Sequence, residues 1–421
     1  MPLGIVGLVS GRRNVGDVPT ALEGEVYGKG ALARAHGTGD KYDRHPCAHS
    51  PSNGFAPRRV EVESMAGNVL SVAIGIALVL LAMNDVFQSV IVPRAVGRHF
   101  RVSFYAWRAA WTIWPALALK AARGDDGRRE DLLAYFAPGM LIGLLVMWGA
   151  LLVAGYGTIF WGLRGGLSPG VHSYGAAAYF AGTSLTTIGF GDIVGHSAGT
   201  RAVSIVAGAT GLALFAILTA YLFALFGSFQ ARETFVVMLG ARTGTPPSGV
   251  DLLTISGYTQ TTGDLDTLLL DAQRWTAQVM ESHLAYPVLA YFRSSHDFQS
   301  WVGTLGTLLD ASTLIMTTID EMNNGEARIF YNLGRHATHD LSKFLGVVHE
   351  ATSPGLERLE FENACERLTH AGYRLHDRNV AWERFAAMRA TYAPQLNALA
   401  RYFAIPPLQW IGDRGPVSGP H

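Results

Sequence analysis

Thr186-Thr187-Ile188-Gly189-Phe190-Gly191-Asp192 is the stretch on which the reading of this chain turns. It follows a short helix-like run, Tyr174 to Leu185. Both lie between apolar segments, Leu132 to Leu163 and Arg201 to Phe229, long enough to cross a bilayer. Non-helical backbone at membrane depth is tolerated where it is buried in protein or lines a watery path. Gly189 and Gly191 supply backbone angles that other residues avoid. Such angles let the successive carbonyls of residues 187 to 190 point the same way, toward one axis.

At these residues the chain resembles the potassium channels, in particular the pore with one filter between two membrane helices. The family pattern T-x-G-[YF]-G-D is matched from Thr187 to Asp192, with Phe190 as the aromatic. The resemblance covers about residues 130 to 230. It implies passive, potassium-selective conduction, with a ring of carbonyls replacing the water shell of the ion. The filter residues would be Thr187, Ile188, Gly189, Phe190 and Gly191, supported by Thr183, Thr186 and Asp192. Some family members hold the filter with a carboxylate where Thr183 stands here, which leaves open how Asp192 is held. Tyr179 and Phe180 would brace the filter from the pore helix. Gly211 stands where the family's inner helix carries its hinge glycine; Phe215, Thr219 and Phe223, one turn apart, would line the cavity and gate. Gly208 and Gly211 each cost about 1 kcal/mol of helix preference relative to Ala, a cost that fits a hinge or a close packing contact. A closed filter needs four copies of the loop, and one occurs per chain, so the resemblance implies a homotetramer.

Composition agrees with a membrane setting. Hydrophobic residues make up 49% of the 421 and charged ones 16%, an apolar balance for a soluble protein. Formal net charge is zero, so no overall basic field points to nucleic acid. Cys47 and Cys365 are too few for a disulfide framework or a zinc site of their own.

Residues 1 to 64 mix Gly, Arg, His, Pro and Asp without periodicity and read as disordered, or as an extension ahead of a start at Met65. Residues 65 to 93 form a first transmembrane helix, its apolar run at Val69 to Val92 interrupted by Asp85. That carboxylate is either functional or an interfacial group paired with a following arginine. Residues 94 to 131 are a connector holding Arg94, Arg98, Arg101, Arg108, Lys120, Arg123, Arg128 and Arg129, which the positive-inside rule places in the cytoplasm. Within it Phe104, Trp107, Trp111 and Trp114 form an aromatic stripe, as in a helix lying on the inner membrane surface. The alternative makes residues 102 to 120 a further span.

Residues 132 to 230 are the pore domain: outer helix, pore helix, filter and inner helix. Residues 231 to 421 are a helical cytoplasmic domain, entered through a Pro/Gly linker at Thr243 to Gly249. Helical spacing recurs at roughly 264–283, 297–322, 325–349, 355–373 and 378–404. Neither a dinucleotide-binding glycine motif nor an alternating β pattern is evident there. Seven histidines fall in residues 231 to 415, with His-Asp pairs at 296–297, 339–340 and 376–377, and His336, His349 and Glu350 nearby. Such pairs serve divalent-metal hydrolases when they converge. Solvated helix faces and a pH- or ligand-responsive cluster are the competing accounts.

The fold expected is an all-α integral membrane protein with three spans, a re-entrant loop and a helical cytoplasmic domain, multi-pass in the plasma membrane (the inner membrane of a bacterium). The function expected is K+ conduction, with no enzyme activity, no cofactor, no metal beyond K+ in the filter, and no nucleic-acid partner. Partners are K+, the lipid bilayer, three further copies of the chain and an unknown cytoplasmic ligand. The alternatives are a weakly selective cation channel, or a membrane-tethered sensor or metal-dependent hydrolase with a vestigial pore.

Overall fold

The structure is a computed structural model that describes residues 58–92, 102–296, 298–320, 322–347 and 355–412. The irregular extension expected at the N-terminus lies, for residues 1–57, outside the described residues. Arg94, Arg98, Arg101, Asp297, His349 and Glu350 lie outside them too.

The described chain is mostly helical. Helix α1 spans Arg58–Val86 and ends in a π-helical turn, Phe87–Ile91. It begins at Arg58 rather than Met65, so the irregular reading of residues 58–64 is corrected. Helices α2 (Val102–Ala122), α3 (Asp126–Ala134) and α4 (Phe136–Gly162) follow. A two-residue strand β1 (Leu167–Ser168), helix α5 (Tyr174–Leu185), strand β2 (Val194–Gly195) and helix α6 (Ala198–Thr243) come next. Among the described residues three stretches are long and apolar enough to cross a membrane: Met65–Ile91, Gly127–Gly162 and Ala198–Thr243.

Serine and aspartate start these helices by accepting from backbone N–H groups that a first turn leaves unpaired. Asp125 does so for α3, Ser173 for α5 and Ser197 for α6. Helix α1 lies along α4 at glycines. A Cβ on Gly75 would stand 2.6 Å from the Gly155 carbonyl oxygen, and one on Gly162 2.7 Å from that of Asn68. Arg164, just past α4, reaches back to Asn68 at 2.6 Å.

The remaining helices form a second body. They are α7 (Gly249–Tyr258), α8 (Leu265–Ala285), α9 (Trp301–Thr317), α10 (Gly325–Leu345), α11 (Arg358–His370), α12 (Arg378–Arg389) and α13 (Ala393–Tyr402). Helix α9 is its axis, buried along its length except at Met316, with α7, α10, α12, α13 and the end of α6 around it. Its one buried carboxylate, Asp310, is met by Arg389 at 2.8 Å and by the Tyr392 hydroxyl at 2.7 Å. Burial opposes the Arg389 charge most strongly, but Asp310, Tyr392 and Glu360 together more than offset it, so this guanidinium is held above its ordinary pKa.

Two readings of the sequence change here. The inner helix does not stop at Phe229: α6 runs on to Thr243, and Phe235, Val236 and Leu239 are buried in the core of the second body. A junction at residue 230 or 231 therefore falls inside a continuous helix. The tryptophans of the α2 aromatic stripe also face protein, while Phe104 stays exposed. Trp107 and Trp111 pack edge-on against Phe136 and Tyr291, and the Trp111 indole donates to the Tyr402 carbonyl at 3.2 Å. The opposite face, with Tyr105, Ile113, Leu117 and Leu119, is the exposed one.

Asp85 is buried, and among the described residues its partners are not arginines. The Trp148 indole N–H donates to it at 2.7 Å, and Ser103 donates through its backbone N–H and its hydroxyl, each at 3.2 Å. A carboxylate of α1 thus caps the start of α2, where unpaired N–H groups and the helix dipole favour negative charge.

Candidate pore loop and its supports

Helix α5 ends at Leu185 and hands the chain to an exposed loop, Thr186 to Asp192. The loop is tied to the helix end through carbonyls that an α-helix leaves unpaired at its C-terminus. Thr183 O accepts from Ile188 N at 3.0 Å and Gly189 N at 3.2 Å; Ser184 O accepts from Thr187 N at 3.1 Å. Gly182 O accepts both the backbone N–H and the hydroxyl of Thr186, at 2.9 and 2.8 Å. Thr183 is itself buried, its hydroxyl donating to Phe180 O. The expected support residues Thr183 and Thr186 are therefore brought together with Ile188 and Gly189.

Within the loop every second residue is left-handed: Thr187 at φ +57°, Gly189 at +53° and Gly191 at +82°. Two of the three are glycines, which take this conformation without steric cost. Thr187 is β-branched and rarely adopts it, so its angle is imposed by the surrounding hydrogen bonds. A chain that alternates in this way can turn successive peptide units to the same side.

The far side of the loop is held by a short sheet. Tyr179 of α5, expected with Phe180 to brace the filter, lies within electrostatic reach of the Asp192 carboxylate. Strand β2 pairs antiparallel with β1, Leu167 opposite Gly195 and Ser168 opposite Val194. Gly166 O accepts from His196 N at 2.7 Å and from the Thr200 hydroxyl at 2.9 Å. The exit from the loop is thereby fastened to the end of α4. No periodicity in the sequence signalled this short sheet.

Helix α6 passes behind α5. A Cβ on Gly211 would stand 1.8 Å from the Leu185 carbonyl oxygen, so the glycine permits backbone-to-backbone approach at the root of the loop. Tyr156 of α4 meets Thr210 at 2.8 Å beside it. Phe215 and Phe223 project outward, 71% and 76% exposed, while the Thr219 hydroxyl donates back to Phe215 O. Ile188 and Phe190 in the loop are also exposed, at 57% and 69%. A single chain thus leaves large apolar side chains of the loop and of α6 uncovered.

Farther along, α6 is gripped by the second body. Arg232 is buried; it donates to Leu289 O at 3.0 Å and Phe292 O at 2.8 Å, and its Nε meets Glu233 at 2.9 Å. His283 of α8 lies 3.4 Å from Arg232 and 2.7 Å from Val279 O. Burial, with the Arg232 charge second, pushes its pKa down to about 3, so the ring is neutral. A second grip reaches α3: Arg293 meets Glu130 at 3.4 Å and donates to Ala404 O at 3.1 Å. Arg232 was not singled out in the sequence, because its partners are backbone carbonyls far along the chain.

Among the described residues the histidine–carboxylate pairs do not converge. His336 lies 3.3 Å from Asp340 on an exposed turn of α10, and His376 lies 3.7 Å from Asp320. Asp377 caps α12, accepting from Asn379 N and Val380 N. Among the described residues no group of three or more His, Cys, Asp or Glu is placed to hold a metal ion.

Residues 143–228 match the Ion_trans_2 family, described as ion channel; the match begins within α4 and ends within α6, enclosing α5 and the loop. The chain is also 23% identical, over 271 residues, to the uncharacterised membrane protein YdjJ of Bacillus subtilis (strain 168), covering 63% of this chain and 75% of that one. No solved structure matches. The chain is a mostly helical membrane protein, and residues 143–228 are its ion channel domain.

Proposed function

We propose that this protein is a potassium-selective channel in which four copies of residues 132–230 close around one axis. Carbonyls of Thr187, Ile188, Gly189 and Phe190, with the Thr187 hydroxyl, replace the hydration of K+ as it passes. The observation that carries this reading is the left-handed backbone at Thr187, Gly189 and Gly191, alternate residues of the T-x-G-F-G stretch. The uncovered apolar side chains of Ile188, Phe190, Phe215 and Phe223 support the tetramer, since a membrane protein's lone chain would otherwise turn its loop carbonyls toward lipid. Asp192, near Tyr179, stands at the outer end of the filter.

Residues 231–421 act as a cytoplasmic gating module, and the basic connector 94–131 lies on the same side. Ligand binding there shifts the gate by its differential affinity for the two states. Because α6 enters this module without a break, rotation of the module is transmitted to Thr219 and Phe223 through helix rather than through a linker. Purified protein in liposomes should pass K+ down its gradient in preference to Na+, and Gly189→Asp, which forces a side chain into a left-handed position, should abolish that preference. An unchanged preference in the variant would contradict the filter assignment.

A further inference from the structure

A cavity of about 470 Å³ lies where the membrane helices meet the second body. Its walls come from the end of α1, from α2, α4 and α6, and from the α8 end with residues 344–346. The volume falls within the range of small-molecule sites. The lining is mainly aliphatic and aromatic, including Leu145, Leu218, Leu222 and Val288. Arg108 is the one ionised side chain among the lining residues. No carboxylate among the described residues stands within ion-pair distance of it, and it is exposed on α2. The buried Asp85 carboxylate sits behind the wall formed by Ser103 and Trp148, already satisfied by both. The cavity therefore has an apolar body and a cation at one edge.

We propose that this cavity binds an acyl chain carrying a single negative charge, its apolar tail among the leucines and its anionic head on Arg108. An apolar interior bordered by membrane spans admits a hydrocarbon tail at hydrophobic depth. Guanidinium pairs with carboxylate or phosphate through two parallel hydrogen bonds, and a cationic head would be left without a partner. The chemistry is shared by a free long-chain fatty acid and by one chain of an anionic phospholipid. Because Leu218, Tyr221 and Leu222 of α6 line the same space as Leu284 and Val288 of the second body, occupancy wedges the two together. That consequence for gating rests on the channel reading; the binding itself does not.

Trp107, Trp111 and Trp148 line the cavity, so bromine on a bound tail quenches their fluorescence. Full-length protein in zwitterionic nanodiscs is titrated with dibromostearate, with dibromostearyl alcohol, and in a third arm with brominated phosphatidylglycerol. The proposal expects saturable quenching by the acid about tenfold tighter than by the alcohol, the worth of one charge-assisted contact. The preference disappears in Arg108→Gln, and saturable quenching disappears in Ala285→Phe, which fills the space from a lining position. Saturation by phosphatidylglycerol without the free acid supports the same site and identifies membrane lipid as the source. Equal affinity for acid and alcohol, an acid preference that survives in Arg108→Gln, or no saturable component in any arm overturns it. None of these readouts depends on ion flux, so they stand apart from a failure of the channel reading.

Discussion

Gly211 of α6 rests on the backbone of Leu185, the last residue of α5: a Cβ on the glycine would lie 1.8 Å from the Leu185 carbonyl oxygen. That contact joins the long helix to the root of the loop. Gly211→Ala gains helix preference worth about 1 kcal/mol, but the clash is with backbone, and overpacking of this kind costs about 1–3 kcal/mol. Net destabilisation is expected, read as a lower thermal midpoint of the detergent-solubilised protein. Gly227, with nothing within 4 Å in the chain, is the control, and Gly227→Ala should leave the midpoint unchanged or raise it. Equal shifts of the two variants in the same direction would remove the packing role given to Gly211.

Asp85 should behave as a structural acceptor. Asp85→Leu leaves the Trp148 N–H and the Ser103 donors unpaired in a buried site, at about 1–3 kcal/mol for each buried group. Asp85→Asn keeps one acceptor oxygen and should lose less. Thermal unfolding followed by tryptophan fluorescence orders the three proteins, and an Asn variant less stable than the Leu variant would contradict the assignment.

Arg232 links α6 to the second body through Leu289 O and Phe292 O. Breaking a buried pair on one side costs about 3–5 kcal/mol, whereas replacing both members by apolar groups costs far less. Arg232→Met should therefore raise amide exchange across residues 287–292, and pairing it with Glu233→Gln should restore part of the protection. If exchange there is unchanged in Arg232→Met, the grip is not where the structure puts it.

His283 gives a pH dependence with a definite sign. Its pKa is about 3 in the folded chain against 6.5 for an ordinary histidine. Between those values the unfolded state binds the extra proton. The stability this ring contributes is thus complete above pH 6.5 and is lost as pH falls toward 3, by about 1.4 kcal/mol per pH unit. His283→Phe should be less stable at pH 7, having lost the bond to Val279 O, yet show a shallower acid limb. Thermal midpoints at several pH values check this, and an acid limb as steep as that of the parent protein would count against it.

How much of this was legible follows from where the partners sit. Helix α5 was readable to the residue, because its cap Ser173 and its run through Leu185 are local signals. The left-handed positions at Gly189 and Gly191 were legible from residue type, whereas that at Thr187 was not, since threonine does not announce it. The end of α6 was misread because Arg232 and Glu233 look like the water-side boundary of a span. Both are buried instead, Arg232 against the carbonyls of residues 289 and 292 and Glu233 against Arg232. The α2 stripe was misassigned for a related reason: an aromatic face is equally suited to lipid and to Tyr291 and Tyr402, and periodicity does not distinguish them.

The most direct measurement of the central claim is the reversal potential of the purified, reconstituted protein with K+ on one side of the bilayer and Na+ at equal concentration on the other. Carbonyls gathered by the alternating backbone from Thr187 to Gly191 should select K+, giving a reversal potential displaced strongly toward the K+ equilibrium value, and Gly189→Asp should remove that displacement. A reversal potential near zero for the unmodified protein would contradict the account, because the loop would then pass cations without choosing between them.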